Sequence, residues 1–322
     1  MKQLKVFLKL ISNELYKTFF QIKTIVFICL MVALVGLVAY LSVSTDKGDK
    51  WRDDTQKQIE TIKKSISETE SKKDKDEFDI TMLNFEKDQF KVLEYRLQHN
   101  IPGNAITPLR FVYSCSELMV LIVLFMAIFA SNIVANEYSQ GTIRQLLVKP
   151  IKRWKIFIAK YLSAVLVSMV LTMILFIVSL ALGFILFQKN SNSIYDVVLV
   201  NGNIVERNML SHILAVAFSK LFSISIISAL AFFISTIVRT TGLAIIASLG
   251  IYFAGFVGGI ILNKYPLYKF FITPNLDLHR YLPGESLPYA GATFTFSIVV
   301  CIVYLMAFLA SGLIVFNKRD VF

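Results

Sequence analysis

The sequence predicts an all-α integral membrane protein with six transmembrane helices, an N-terminal interfacial helix and an extracellular helical hairpin between the first and second spans. Hydrophobic residues make up 56% of its 322 residues, which is above the usual range for soluble domains. They form uncharged runs long enough for the ~20 helical residues that cross a bilayer core of ~30 Å. Because backbone groups in hydrocarbon must bond internally, and the alternating pattern of a membrane barrel is absent, a helical bundle is expected. The six runs are 24–45, 118–136, 161–188, 221–238, 240–263 and 286–317.

Residues 1–22 are predicted to form an amphipathic helix that lies along the cytoplasmic membrane surface. Apolar residues recur there at helical spacing, and lysines lie on the other faces. The alternative is an ordinary basic tail. The next segment, 23–45, is interpreted as the first transmembrane helix and not as a cleavable signal peptide, because its apolar run exceeds a signal core and lacks a small-x-small cleavage site. The apolar positions of the N-terminal helix are Leu4, Phe7, Leu8, Ile11 and Leu15.

Residues 46–110 differ in composition from the rest of the chain, with 13 basic and 14 acidic residues. Two narrow apolar stripes at helical spacing predict two helices. The polar run 67–77 separates them as the hairpin tip, and Pro102-Gly103 predicts a closing turn. The stripes indicate pairing within the hairpin, with a ligand site as the less favoured alternative. They consist of Ile59, Ile62 and Ile66 in the first helix and of Leu83, Phe90, Leu93 and Leu97 in the second.

Residues 111–322 contain the other five predicted spans. The fifth and sixth are joined by the extracellular segment 264–291, which holds four of the seven prolines and many aromatic residues. Prolines interrupt helices and aromatics favour the headgroup layer, so this segment is predicted to be a re-entrant loop or a structured interfacial loop. In the fifth span Gly255 and Gly259 form a G-x-x-x-G pattern. It permits close packing of helices, either within the chain or across a dimer.

The charge distribution predicts the orientation. With the N-terminus in the cytoplasm, six spans return the C-terminus there, and the cytoplasmic segments then hold fourteen basic and three acidic residues. The difference equals the formal net charge of the whole chain, +11. The charge is therefore a positive-inside signal and not a nucleic-acid signature. It also suits contact with anionic lipid headgroups, so the lipid bilayer is an expected partner and nucleic acid is not.

Motifs for catalysis, metals and nucleotides are absent from the sequence. It contains no G-x-x-x-x-G-K-[ST], no H-E-x-x-H and no G-x-S-x-G, so the chain is not expected to bind ATP, to act as an enzyme or to hold a cofactor. The three histidines are scattered, and the three cysteines fall in or beside predicted spans. Neither set has the spacing of a metal site or a disulfide framework.

Two ionisable residues lie in or beside predicted spans. Glu117 is near the outer start of the second span, and Lys220 lies close to the fourth. Charges within a membrane are costly, so such groups usually face a cavity or a partner. The functional hypothesis is a polar substrate path or a mutual pair. The alternative is that Glu117 reaches the interface and Lys220 extends to it or pairs for structural reasons.

The segment 137–160 between the second and third spans carries six basic residues against one acid. A Gly-Thr pair and a Leu-Leu pair precede a proline, which predicts a short, partly apolar cytoplasmic helix with a glycine hinge and a proline stop. Simple positive-inside anchoring would explain Lys149, Lys152 and Lys155 but not these other residues. The segment resembles the first cytoplasmic loop of type 2 ABC transporter permeases. The matching positions are Glu137, Gly141, Thr142, Ile143, Arg144, Leu146, Leu147, Pro150, Arg153, Ala159 and Lys160.

The resemblance implies that residues 137–153 form a coupling helix that docks on a separate ABC ATPase. Glu137, Gly141, Thr142, Arg144, Leu146, Leu147, Pro150 and Arg153 would be its ATPase-coupling residues. Two such ATPase subunits, which would hold the ATP and magnesium, would pair with two permeases, identical or homologous, in the bacterial plasma membrane. The expected function is export of an amphipathic, peptide, lipid-like or antimicrobial substrate. The main alternative is a sensor whose extracellular hairpin detects a ligand without transporting it; an ion-coupled carrier and an intramembrane enzyme are weaker alternatives.

Overall fold

The computed structural model describes residues 2–45, 51–71, 76–101, 106–142, 151–187, 195–200, 202–238, 240–262, 265–289 and 291–318. Within them the chain is almost entirely helical, with one two-stranded antiparallel sheet. The helices are α1 (Lys2–Phe19), α2 (Ile22–Thr45), α3 (Trp51–Ser71), α4 (Glu77–Gln98), α5 (Pro108–Cys115), α6 (Met119–Ser139), α7 (Arg153–Phe187), α8 (Met209–Ile237), α9 (Thr241–Leu262), α10 (Ile272–Leu276) and α11 (Phe294–Lys318). The strands are β1 (Tyr195–Val200) and β2 (Asn203–Asn208).

Six helical segments are long and apolar enough to cross a membrane, which confirms the predicted class of a helical multi-pass membrane protein. They are α2, α5 and α6 together, α7, α8, α9 and α11. A single 3₁₀ turn, Ser116–Leu118, joins α5 to α6. The position of α1, α3 and α4 relative to the bilayer stays a prediction.

Four predicted span starts differ from the helices by eight residues or more. The second and third helical segments begin at Pro108 and Arg153, and not at 118 and 161, because both extend past charged residues that ended the uncharged runs. The fourth helix begins at Met209, twelve residues before the predicted 221, because Lys220 sits inside the helix with a partner and does not end it. The sixth begins at Phe294 and not at 286, because the uncharged run includes the turn around Gly291, whose φ of 73° a helix does not allow. An uncharged run shows which residues the bilayer core can hold, but the helix can begin before or after the start of that run.

The bundle packs around α8. Half of the most apolar stretch of α8 is buried, against less than a quarter in α2, α9 and α11. One core joins α2, α5, α6 and α7 through residues such as Met31, Phe111 and Leu171. A second joins α6, α7, α8 and α11 around Phe157 and Phe232. Helices α2, α9 and α11 therefore form the periphery of this chain.

Small polar residues fasten the centre of the bundle. The Ser235 hydroxyl of α8 donates to the Ser131 carbonyl at 2.6 Å and accepts from the Ala135 N–H at 2.9 Å. The Ser131 and Ser248 hydroxyls lie 2.7 Å apart, which links α6 to α9. Hydrogen bonds of this kind hold helices where apolar burial gives little preference for protein over lipid.

The two glycines of the G-x-x-x-G pattern contact their own chain. A Cβ on Gly255 would collide with the Thr273 side chain, and one on Gly259 would lie 2.7 Å from the Tyr268 hydroxyl oxygen. Both partners belong to the segment 265–289, which forms the 3₁₀ turns Pro266–Phe270 and Leu278–Tyr281 on either side of α10. The glycines thus let this segment pack closely on α9.

The β1–β2 hairpin lies between the third and fourth spans and was not predicted. Its register pairs Asp196 with Arg207 and Val200 with Asn203 across a two-residue loop. The sequence did contain a signal, since Asn201-Gly202 between β-branched runs is a strong hairpin pattern. Gly202 has a φ of 80°, which this tight turn requires.

Candidate functional site

The root of the loop between the second and third spans is a buried ion cluster. The Lys160 ammonium near the start of α7 lies 2.6 Å from Glu137 Oε1 at the end of α6 and 2.8 Å from Glu14 Oε1 of α1. The Lys160 side chain is 2% exposed and that of Glu137 is 7% exposed. One cation therefore joins three helices, including the N-terminal one.

The cluster is nearly balanced in charge, but it is not fully satisfied in hydrogen bonds. The Lys17 ammonium, 52% exposed, lies 3.9 Å from Glu137 Oε1 and adds a weak second cation. Glu137 Oε2 is buried with no hydrogen-bond partner among the described residues. Removing one member of such a buried pair leaves an uncompensated charge, whereas a complete pair is close to neutral in stability. The geometry therefore makes Lys160 the residue on which the loop root depends.

The predicted coupling residues that the structure describes have three different settings. Glu137 is buried at the loop root, so in this chain its side chain fastens the loop. Gly141 and Thr142 lie in the turn that follows α6, and Gly141 has a φ of 69°, which favours glycine. Arg153 is the first residue of α7 and donates from Nη1 to the Asn317 carbonyl at 3.0 Å, which connects the loop to the end of α11. The remaining predicted residues, Arg144, Leu146, Leu147 and Pro150, lie outside the described residues.

Glu117 and Lys220 lie together at the other end of the bundle. The Lys220 ammonium is 2.8 Å from Glu117 Oε1, and it donates to the Ser116 carbonyl at 3.2 Å. The Glu117 side chain is 71% exposed, whereas that of Lys220 is 15% exposed. The structure thus brings the two predicted residues together as a pair, with the lysine covered and the glutamate at the surface.

This pair borders a cavity of about 370 Å³ whose lining combines charged and apolar side chains. Asp277, His279 and Arg280 of the segment 265–289 line its other wall. His279 Nδ1 is buried with no hydrogen-bond partner in the described part of the chain, and burial lowers the pKa of this histidine. Glu117 and Lys220 therefore border a small chamber with mixed charges and one imidazole nitrogen without a partner among the described residues; the polar substrate path stays a prediction.

A second ion cluster joins α4, α5 and the β1–β2 hairpin, and it was not predicted from the sequence. The carboxylate of Asp196 on β1 accepts from Arg96 of α4 at 3.0 Å, from Arg110 of α5 at 3.0 Å and from Arg207 of β2 at 3.3 Å. Burial lowers the pKa of Arg96, and the Arg110 charge adds to that effect. One carboxylate thus faces three guanidinium groups from three elements.

Glu285 extends this cluster to the segment before α11. Its Oε1 lies 3.4 Å from His212 Nε2 and accepts from the Tyr113 hydroxyl at 2.9 Å. Arg207 donates to the same oxygen at 3.5 Å and to the Pro283 carbonyl at 2.9 Å. The bond from His212 and the bond from Tyr113 hold the pKa of Glu285 down to about 2, against burial, which raises it.

The lowered pKa of Glu285 predicts acid sensitivity. A carboxylate whose pKa falls from 4.5 to about 2 on folding adds stability above pH ~4.5, and that stability is lost as the pH falls towards 2. The thermal midpoint of the wild-type protein in detergent should therefore fall more steeply between pH 5 and pH 2.5 than that of Glu285→Gln. Parallel pH curves for the two proteins would contradict the assignment.

A groove of about 1,050 Å³ lies between the α3–α4 pair and the β1–β2 hairpin. It is lined by Asp54, Lys57 and Asp88 on the helices and by Val198 and Gly284 opposite. Gly284 has a φ of 86°, and a Cβ there would lie 2.8 Å from the Val198 side chain. The β-hairpin and the segment 283–286 therefore close one wall tightly, while charged and apolar side chains of α3 and α4 line the other.

Comparison with known proteins gives a family but no activity. The model of a family described as "Protein of unknown function (DUF2705)" matches residues 78–322. The chain is 33% identical over 322 residues to "Uncharacterized protein YhcI" of Bacillus subtilis (strain 168), covering 98% of this chain and 99% of that protein. It is 27% identical over 211 residues to "Uncharacterized membrane protein YdbK" of the same strain, covering 64% of this chain and 80% of that protein. Because the family model spans well over half of its residues, the chain belongs to the DUF2705 family.

Proposed function

We propose that this chain is the membrane-spanning permease subunit of an ATP-driven ABC exporter. The observation that carries the proposal is the Glu14–Lys160–Glu137 cluster at the root of the loop that resembles an ABC coupling loop. Work done on this loop by a cytoplasmic partner can reach the bundle only if the loop is rigidly joined to it. The cluster provides that connection for α1, α6 and α7 at once.

One further contact and one backbone feature support a rigid loop base. Arg153 joins the start of α7 to the end of α11, and Gly141 turns the chain sharply directly after α6. A push on the loop would therefore move α6, α7 and α11 together as a body. Rigid-body movement of packed helices is a common way for membrane and allosteric proteins to switch between states.

The energy would come from a partner. The sequence has no P-loop of its own, so ATP and magnesium would be held by two separate ATPase subunits. Two permease chains, identical or homologous, would complete the assembly in the plasma membrane, with N- and C-termini in the cytoplasm. The exported compound would be amphipathic, lipid-like, a peptide or an antimicrobial.

Replacement of Gly141 tests the docking hypothesis. The wild-type chain, tagged and purified in mild detergent from its native host, should bring with it a P-loop ATPase with vanadate-sensitive ATP hydrolysis. Gly141→Val should reduce the ATPase activity recovered per permease by at least about fivefold, because left-handed backbone costs a residue with a Cβ ~1–2 kcal/mol, more when it is β-branched. Gly141→Asn is the control, since asparagine tolerates that backbone and no atom of the described residues lies within 4 Å of the added Cβ. No ATPase activity with the wild type, or equal recovery with Gly141→Val, would overturn the proposal.

The external groove favours a second candidate function, a sensor subunit that signals to the same ATPase without transport. The groove lies between α3–α4 and the β-hairpin, and Arg96 connects it directly to the Asp196 cluster. A ligand there could shift the external elements relative to the spans. Deletion of the helical hairpin distinguishes the functions: a transporter keeps vesicle transport of candidate substrates, whereas a sensor loses its ligand response and shows no transport in either form.

A further inference from the structure

A cavity of about 420 Å³ lies between α1, the start of α2 and residues 125–136 of α6. Its walls have two distinct chemistries. Near the α1–α2 turn they carry Lys17, Gln21 and Lys23, with amides from Asn132 and Asn136. Further along the spans they carry Phe27, Leu30, Phe125, Ile128 and Phe129. A polar, cationic end thus continues into an apolar groove.

The cationic end keeps its charge, because the nearby acids have another partner. Glu14 also lines the cavity, but Lys160 binds both Glu14 and Glu137. The Lys17 ammonium is half exposed, and its contact with Glu137 Oε1 is long, at 3.9 Å, so Glu137 neutralises it weakly. Among the described residues no carboxylate lies within 4 Å of Lys23. These three lysines and two glutamates leave one net positive charge, which matches a monoanion.

The apolar end faces the region that the bilayer would fill. Val26 and Leu30 are 59% and 52% exposed on a helix apolar enough to span a membrane. The Phe27 and Phe125 rings stack with centroids 4.2 Å apart, and Phe125 stacks in turn on Phe129. A soluble anion would leave this aromatic surface uncovered, whereas an acyl chain would cover it.

We propose that this cavity is a specific binding site for one anionic phospholipid. Lys17 and Lys23 hold its phosphate, the amides of Gln21, Asn132 and Asn136 contact its glycerol region, and an acyl chain lies against Phe27 and Phe125. The lipid would touch the same helix, α1, that Lys160 ties to the loop root. The site depends on the spanning helices and not on the transport proposal, so either can fail alone.

Native mass spectrometry of the purified full-length chain tests the site. Wild-type protein, delipidated in detergent and titrated with phosphatidylglycerol or phosphatidylcholine of the same acyl chains, should retain one phosphatidylglycerol in clear preference to phosphatidylcholine. Lys17→Gln/Lys23→Gln should weaken that binding by about tenfold or more, since each lysine near an anionic headgroup contributes substantially. The matched control, Lys5→Gln/Lys9→Gln, removes the same charge from α1 outside the cavity and should change the binding less than twofold.

Three results would overturn the proposal. Equal retention of the two lipids by the wild type would show no charge selectivity, and this comparison needs no variant. An equal loss in the control pair would indicate general surface attraction only. Displacement of the lipid by millimolar glycerol 3-phosphate would assign the site to a soluble anion. If the Lys17→Gln/Lys23→Gln protein is not monodisperse, the Lys17→Arg/Lys23→Arg variant is used in its place. The arginine variant keeps both charges and should keep the preference for phosphatidylglycerol. Loss of that preference in the arginine variant would contradict the site.

Discussion

Replacement of Lys160 by methionine is expected to lower the free energy of unfolding by about 3–5 kcal/mol, because it leaves two carboxylates at the loop root without their shared cation. Methionine has a similar length, so the change removes the charge and keeps much of the packing. Glu14 and Glu137 would then have to take up protons or draw in water, and α1 would lose its ionic tie to α7.

Thermal unfolding in detergent and recovery of the monodisperse protein measure this effect. Lys152→Met is the matched control, since Lys152 is an exposed lysine of the same loop and should shift the midpoint little. Addition of Glu137→Gln to Lys160→Met should recover part of the loss, because one of the two stranded charges is gone. If Lys160→Met unfolds like the Lys152 control, the cluster does not hold the loop root.

The position of Lys160 along its span can be predicted from the sequence, but its burial in an ion cluster cannot. Its place between a basic linker and a long apolar run marks it as a basic residue near the start of a span, and in the structure it is the eighth residue of α7. Its burial depends on Glu14, which lies 146 residues earlier on a different helix. Periodicity and charge counts describe one helix at a time, so they predict that α1 and α7 exist but not that they meet.

The Glu117–Lys220 pair is the opposite case. Two isolated charges beside apolar runs limit the possible arrangements strongly, because each needs a partner or water. Mutual pairing was therefore one of the two functional alternatives, and the structure shows it at 2.8 Å. The cavity beside this pair could not be predicted from the sequence, because its other wall comes from Asp277, His279 and Arg280. Those residues belong to a proline-rich segment whose path no periodic pattern describes.

The ion cluster around Asp196 was not predicted, for a different reason. Asp196 and Arg207 are eleven residues apart, and only a hairpin pairs them across two strands. If the segment between the third and fourth spans is taken as an irregular connection, Asp196 and Arg207 count only as two surface charges. Had the Asn201-Gly202 turn been recognised, the register would have followed from it. The contributions of Arg96 and Arg110 would still have required the tertiary fold.

Replacement of Asp196 by asparagine is expected to release the β-hairpin from α4 and α5. The change removes the one carboxylate that faces three guanidinium groups, so attraction becomes mutual repulsion among Arg96, Arg110 and Arg207. We expect a loss of about 2–4 kcal/mol, less than for a fully buried pair because these side chains are 12–26% exposed. Hydrogen–deuterium exchange at the ladder amides of 195–208 should rise by at least tenfold.

Asp53→Asn is the control, since Asp53 is an exposed residue of α3 and should leave exchange in the hairpin unchanged. Salt separates the two possible causes of any effect at Asp196. Repulsion between partly exposed guanidinium groups is screened, so 0.5 M salt should return part of the lost protection in Asp196→Asn. A defect that came only from lost hydrogen bonds would persist at high salt. Unchanged exchange in Asp196→Asn at low salt would show that the hairpin is held by its packing against α4 and the segment 283–286, and not by this cluster.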